Sequence, residues 1–378
     1  MLKTNSNDDK IETLLSRSQI PIIDLAHTGT DDRPSRSVVN RVAIQLHKAL
    51  TEKGLALLVN HGICEDKLQS AWSYLDDFCD LPTDVKEVYI RKGDDNHGYV
   101  KPGQPKFDGA STPGLRHAYN ICTLTAANLP EEPLPGFKDH IAELAHDFKA
   151  LSSLVLQSLA IALHLRANYF QENHSHMLNG LHENESVLRL LYYPPIIEDD
   201  NKCELTKGRC KYSYQRCAMD RLDLDQPDEA VTDGEQHATR NRTNCDYGTF
   251  TLLCQDSEGG LEVKLPGSEK WKRVGHLPGS ILINTGEILA TWSQNTYPAL
   301  QHRVIIPEQD SVRSRGRHSI AFFCHPDNDV PIEPIVLPSE QPEVEKKPRK
   351  SSFKIAKDKV SMAYQAIQRK FRKNYQPN

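Results

Sequence analysis

The chain has 378 residues, enough to bury a large core as one large domain or two smaller ones. Its balance is mildly acidic, with a formal net charge of -5 and a pI near 6.4, so nothing global favours nucleic acid or an anionic membrane. The opening MLKTNSNDDKIETLL lacks the apolar segment of a secretion signal, and no stretch reaches the roughly 18 apolar residues of a membrane span, so a soluble cytoplasmic protein is expected.

After a polar leader (1–18), IPIIDL (20–25) reads as a short buried strand. Residues 35–53 place Val39, Ala43, Leu46 and Leu50 on one helical face, and GLALLVNHGI (54–63) is a β-rich run bounded by glycines. Helical patterns follow at 65–79 and 137–165, the second with Leu144, Phe148, Leu151, Val155 and Leu159 in one apolar stripe, which predicts core. These patterns divide the first half into an N-terminal α/β region (19–130) and a helical linker region (131–180). Segments 96–109 and 114–121 are candidate lids, with Tyr99 or Lys101 at the mouth of a site or, on the plainer reading, in a structural turn.

The second half changes character. VLRLLYYPP, FTLLCQD, LEVKL, SILINTG, LQHRVIIP and HSIAFFCHP are short runs separated by Gly, Pro, Asn and Asp, which predicts a sandwich, jelly roll or barrel over 181–335. Residues 196–243 are rich in charge and poor in large apolar side chains, and read as an inserted loop. From 336 the chain is a basic tail, with a helix predicted over 356–373 that puts Val360, Ala363, Ile367 and Phe371 on one side. Nine cysteines are scattered; Cys203, Cys210 and Cys217 recur every seven residues, not at zinc-knuckle spacing, so reduced thiols are expected. The sequons at Asn173, Asn184 and Asn241 read as chance matches.

The stretch NRTNCDYGTFTLL (241–253) carries the first chemical signal. Residues i and i+2 of a strand point to one side, so Asn244 and Asp246 can reach a common point, and His302 lies on a later strand. One carboxylate with imidazoles on neighbouring strands is the donor set of non-haem Fe(II) oxygenases. In RHSIAFF, Arg317 and Ser319 share a strand face, an arrangement suited to gripping a carboxylate. Taken singly, such residues are more often a turn aspartate, a core histidine and a surface pair; their order gives them weight.

Taken in order, these motifs resemble the isopenicillin N synthase-like family of Fe(II)- and 2-oxoglutarate-dependent dioxygenases. IPIIDL and LTEKGLALLVNHGI resemble its N-terminal region, and LRLLYYPP, DYGTFTLLCQD, LEVK, W-x-x-V, PGSILINTGEILATWSQNTYPALQHRVIIP and RHSIAFFCHPD its oxygenase region, over residues 18–335 apart from 196–243. The resemblance implies a mostly β fold with flanking helices, a double-stranded β-helix (jelly roll) wrapped by the N-terminal α/β region. It implies Fe(II) held by Asp246 and His302, and 2-oxoglutarate held by Arg317, Ser319 and Tyr193. It further implies a small-molecule substrate oxidised with O2 to leave succinate and CO2; oligomeric state is not legible. The sequence departs from the family pattern at two places: Leu191 replaces a frequent asparagine, and Asn244 stands where the family's first iron-ligand histidine would be. Four readings follow. The Asn244 amide ligates more weakly; His237 in GEQHATRN folds back to replace the imidazole; the metal site is lost and the fold persists as a binding module; or residues 203–244 are a variant or mis-joined segment that displaces the histidine.

Overall fold

The computed structural model describes residues 14–15, 19–28, 35–92, 95–102, 116–125, 128–180, 182–195, 239–305, 315–336, 361–363 and 365. Among them the strands are β1 (Leu14–Leu15), β2 (Ile22–Asp24), β3 (Leu55–Val59), β4 (Gly98–Val100), β5 (His117–Ile121), β6 (Val187–Tyr193), β7 (Thr239–Asn244), β8 (Phe250–Gln255), β9 (Leu261–Lys264), β10 (Trp271–Val274), β11 (Ser280–Thr285), β12 (Gln301–Ile305), β13 (Arg317–Cys324), β14 (Pro331–Ile332) and β15 (Ser361–Met362).

Ser35 starts the first long helix, α1 (Arg36–Lys53), where the Val38 N–H donates to the Ser35 carbonyl at 3.0 Å and, more weakly, to its hydroxyl at 3.4 Å. Val39, Val42, Ala43, Leu46, Ala49 and Leu50 form its buried face. The helix stops at Gly54, whose φ of 71° lies in the left-handed region, and the chain enters β3 directly. Helices α2 (Glu65–Asp80) and α3 (Phe137–Ala162) follow, each with a buried apolar stripe.

Strands β2-β3-β11-β8-β13-β6-β5-β4 make an eight-stranded sheet, and β1-β10-β9-β12-β7 a five-stranded one. Side-chain parity sets the layering. On the central strands of the large sheet, Leu188, Leu190, Leu252, Ile320 and Phe322 point to the helices and share one core with α1, α2 and α3. Phe148 of α3 stacks on Phe322 with ring centroids 5.8 Å apart, and burying each ring contributes ~2–3 kcal/mol. The alternate residues Leu191, Tyr193, Leu282 and Ala321 face the smaller sheet, meeting Leu261, Val263 and Val304 in a second cluster. Both faces of the large sheet are covered, which is why its strands read as nearly unbroken apolar runs. The two sheets enclose a cavity in the jelly-roll arrangement expected from the strand pattern.

Several expectations change. The candidate lids contain strands: β4 and β5 extend the edge of the large sheet, paired antiparallel to each other and through β5 to β6. Tyr99 and Lys101 do not line the cavity. Tyr99 is buried with its hydroxyl 2.7 Å from His117 Nδ1, and Lys101 pairs with Glu87 on the surface at 3.2 Å. Residues 239–243, placed by composition in the inserted loop, belong to β7, which gains its backbone partners from β12. Helix α3 packs into the core as its stripe predicts, meeting both α1 and the large sheet. In the tail, Ser361–Met362 is extended and paired with Pro331–Ile332, whereas Ala363 and Gln365 are helical as expected; Ala363 is buried and its N–H bonds the Val330 carbonyl at 2.9 Å. Val360, Ile367 and Phe371 lie outside the described residues, as do Cys203, Cys210 and Cys217.

One charge on the helix side of β13 has a measurable consequence. Burial lowers the affinity of His318 for a proton, but Asp256 and Asp76 outweigh it and hold the pKa up at about 9. Its Nε2 lies 2.7 Å from Asp76 Oδ1 on α2 and its Nδ1 3.7 Å from Asp256 Oδ2. Because the folded value is above the ordinary 6.5, this stabilisation is complete below about pH 6.5 and is lost as pH rises through about 9. His318→Gln is expected to lower stability by about 1–3 kcal/mol on the acid side of that window and by little on its alkaline side, read as unfolding midpoints in urea across pH. Parallel pH profiles for the two proteins would refute the assignment.

Candidate active site

The cavity between the sheets measures about 180 Å³. Asp246 enters it from the turn between β7 and β8, which is fixed from two sides. The helix α4 (Glu287–Trp292) spends its first free N–H groups on this turn: Glu287 N donates to the Asp246 carbonyl at 2.9 Å and Ile288 N to the Gly248 carbonyl at 3.2 Å. On the other side a Cβ at Gly248 would lie 2.4 Å from the Cys324 carbonyl, and one at Gly286 would lie 2.1 Å from the Gly248 carbonyl. Only glycine permits that approach.

The Asp246 carboxylate is oriented by two donors. Its Oδ2 accepts from Thr251 Oγ1 at 2.6 Å and from Asn284 Nδ2 at 2.9 Å, residues that face each other across β8 and β11. Its Oδ1 is left 3.6 Å from His302 Nε2. His302 Nδ1 lies 3.3 Å from the Leu300 carbonyl, which can only accept, so this contact uses Nδ1 as donor and leaves Nε2 as the nitrogen directed at Asp246. Asn244 stands directly opposite His302 in the β7–β12 ladder and lines the same cavity. The convergence expected from strand parity is present, although Asn244 ends its strand and Asp246 lies just beyond it. His237 lies outside the described residues.

This donor set fits a divalent metal. Donors bind such an ion at about 2.0–2.2 Å, so two atoms 3.6 Å apart can share one. Among the described residues no three His, Cys, Asp or Glu side chains gather around one point, so a third protein donor in this cavity would be the Asn244 amide oxygen. Carboxylate, imidazole and amide oxygen together suit Fe(II), with the neutral amide the weakest of the three.

Arg317 and Ser319 of β13 and Tyr193 of β6 line another part of the cavity. The Arg317 side chain is buried, with the residue 2% exposed. Its Nε donates to the Gly259 carbonyl at 2.7 Å, its Nη2 to Gln255 Oε1 at 3.1 Å and its Nη1 to Ser319 Oγ at a long 3.4 Å. Tyr193, opposite it in the ladder, places its ring centroid 5.2 Å from the guanidinium carbon. Every hydrogen-bond partner is neutral. A buried positive charge with no carboxylate paired to it among the described residues, open to a cavity, is arranged to receive an anion.

Other residues of the site carry weaker signals in the sequence. Thr251 and Asn284 hold Asp246, but nothing local marks them. Arg189 lines the cavity from β6, and its one clue is a lone arginine at the same parity as Tyr193 in VLRLLYY. His325, after β13, also lines it; burial depresses its pKa to about 4, and its Nδ1 has no hydrogen-bond partner among the described residues.

Comparison with known proteins places the chain in a family. Residues 184–326 match the 2OG-Fe(II) oxygenase superfamily, and residues 20–140 match the N-terminal region described as non-haem dioxygenase in morphine synthesis. Gibberellin 20 oxidase 1 of Arabidopsis thaliana is 23% identical over 343 residues, covering 87% of this chain and 75% of that protein. The 1-aminocyclopropane-1-carboxylate oxidase of Dictyostelium mucoroides is 24% identical over 331 residues, 83% of each chain. Among solved structures, a full-length Neurospora crassa protein in complex with alpha-KG and thymine has a TM-score of 0.69 at 24% identity, covering 94% of this chain and 97% of that one. That last likeness speaks to the fold. No helix among the described residues is long and apolar enough to cross a membrane.

Proposed function

The chain belongs to the Fe(II)- and 2-oxoglutarate-dependent oxygenases, and from that membership we propose that it hydroxylates a small organic substrate with O2, giving succinate and CO2 from 2-oxoglutarate. In this reading Asp246 and His302 hold the iron, with the Asn244 amide oxygen as a weak third ligand. Thr251 and Asn284 aim Asp246, and the Leu300 carbonyl aims His302. Arg317 takes the distal carboxylate of 2-oxoglutarate, with the hydroxyls of Ser319 and Tyr193 beside it. The apolar walls Leu191, Leu282 and Val304 exclude water, so the Arg317 charge acts at low dielectric. The iron, when bound, supplies the activation of O2 and the oxidising power; the protein supplies orientation and shelter.

The observation that carries this reading is the buried Arg317, bonded only to neutral groups, in the same cavity as the Asp246–His302 pair. A second reading, a binding module of the same fold, is favoured by one fact: the residue opposite His302 is Asn244, an amide rather than an imidazole. Anaerobic titration with Fe(II), followed by admission of O2 in the presence of 2-oxoglutarate, separates them. One Fe(II) per chain and succinate formation are expected. Binding of 2-oxoglutarate without succinate would favour the module, and absence of 2-oxoglutarate binding would defeat both.

A further inference from the structure

The cavity holds a second cationic end that the co-substrate does not use. Arg189 lies four residues along β6 from Tyr193, about 13 Å by the rise of a strand, and faces Ala321 across the ladder rather than Arg317. Its Nε donates to Asn120 Oδ1 at 2.7 Å, and Asn120 Nδ2 in turn donates to both the carbonyl and the Oδ1 of Asn96 at 2.9 Å. The guanidinium carbon sits 4.9 Å from the Phe323 ring centroid. These contacts fix its plane and leave both Nη groups for the cavity it lines. Burial, and then the nearby charge of Arg116, depress its pKa to about 10. Arg116 and the buried Glu185 line the same cavity, and the Asp246 carboxylate acts on Arg189 from a distance, but no carboxylate among the described residues forms an ion pair with either arginine.

Two half-buried arginines side by side, neither in an ion pair with a carboxylate among the described residues, repel each other in the empty protein, and an anion between them relieves that repulsion. The co-substrate's distal carboxylate is assigned to Arg317, and its keto acid end to the metal. We propose that the substrate itself is a small carboxylate, its acid group seated on Arg189 and Arg116 and an apolar, planar part against Phe323. This rests on the reading of Arg317 as the co-substrate clamp and deepens it by naming the substrate's chemical class.

The test uses the full chain saturated with N-oxalylglycine, an unreactive 2-oxoglutarate analogue, and titrated with benzoate or its neutral counterpart benzamide. Benzoate is expected to bind at least tenfold more tightly than benzamide. Arg189→Met should abolish that preference, Arg189→Lys should retain part of it, and Arg116→Gln should reduce it several-fold. N-oxalylglycine affinity, unchanged in all three variants, reports that the cavity is still folded. Equal affinity for the two probes, a preference for benzamide, or a benzoate preference that survives Arg189→Met would each overturn the proposal. So would displacement of benzoate by N-oxalylglycine, which would put its carboxylate on Arg317. Failure of N-oxalylglycine to bind the unmodified chain is a different result: it strikes the Arg317 assignment first, and this inference with it.

Discussion

Arg317→Met is expected to weaken 2-oxoglutarate binding by a factor on the order of 10²–10³, measured by calorimetry with the metal site loaded. The reason is the setting of the charge rather than its presence. Arg317 is held by the Gly259 carbonyl, Gln255 and Ser319, none of which neutralises it. The ligand carboxylate would therefore be its only directly bonded counter-ion among the groups described. Truncating one partner of such a buried charge pair costs ~2–5 kcal/mol, because the other charge is then left buried and unpaired. Ser319→Ala removes one neutral hydrogen bond, worth about 1 kcal/mol, and should cost roughly fivefold. An unchanged affinity in Arg317→Met would remove the clamp from Tyr193, Ser319 and Arg317 together, since all three are assigned to one carboxylate.

The reach of the sequence can be judged from particular residues. Motif order and strand period both mark Asp246, His302, Arg317, Ser319 and Tyr193, and all five line one cavity. Period-2 parity also foretells that Arg317 and Ser319 share a face, which the 3.4 Å Nη1–Oγ contact bears out. Parity fails where no alternation exists to be seen. HAYNI and GYV are an outer strand pair of mixed composition, so β4 and β5 read as lid loops. The stripe in 137–165 marks a core helix, and Leu144, Phe148, Leu151, Val155 and Leu159 are all buried; what it does not show is which partners bury it, here α1 and the large sheet. The supports of the site are the least legible part. Thr251 and Asn284 meet on Asp246 only because β8 and β11 pair in a particular register. The His318 pKa is held up by Asp256 and Asp76, which are 62 and 242 residues away in sequence. Such long-range partners have no local pattern.

The largest change at the metal is expected from Asn244→His. Asn244 stands opposite His302, and side chains at directly opposed positions have Cβ atoms about 4.5–5.5 Å apart. An imidazole at 244 would therefore leave the backbone on the face that already carries the other two donors. Exchanging a neutral amide oxygen for an imidazole nitrogen should tighten Fe(II) by on the order of tenfold or more, that is ~1.4 kcal/mol or more. The rival account makes the opposite statement. If His237 already completes the site, His237→Ala abolishes metal binding while Asn244→His changes little, because the third position is filled. Anaerobic Fe(II) titration of the two variants distinguishes them: a gain only in Asn244→His assigns the weak ligand to the amide, and a loss only in His237→Ala assigns a strong one to the imidazole nine residues before Asp246. Indifference to both would leave Asp246 and His302 as the whole protein contribution. Two donors held 3.6 Å apart would then make a site too weak to retain iron in competition with buffer, and the binding-module reading would follow.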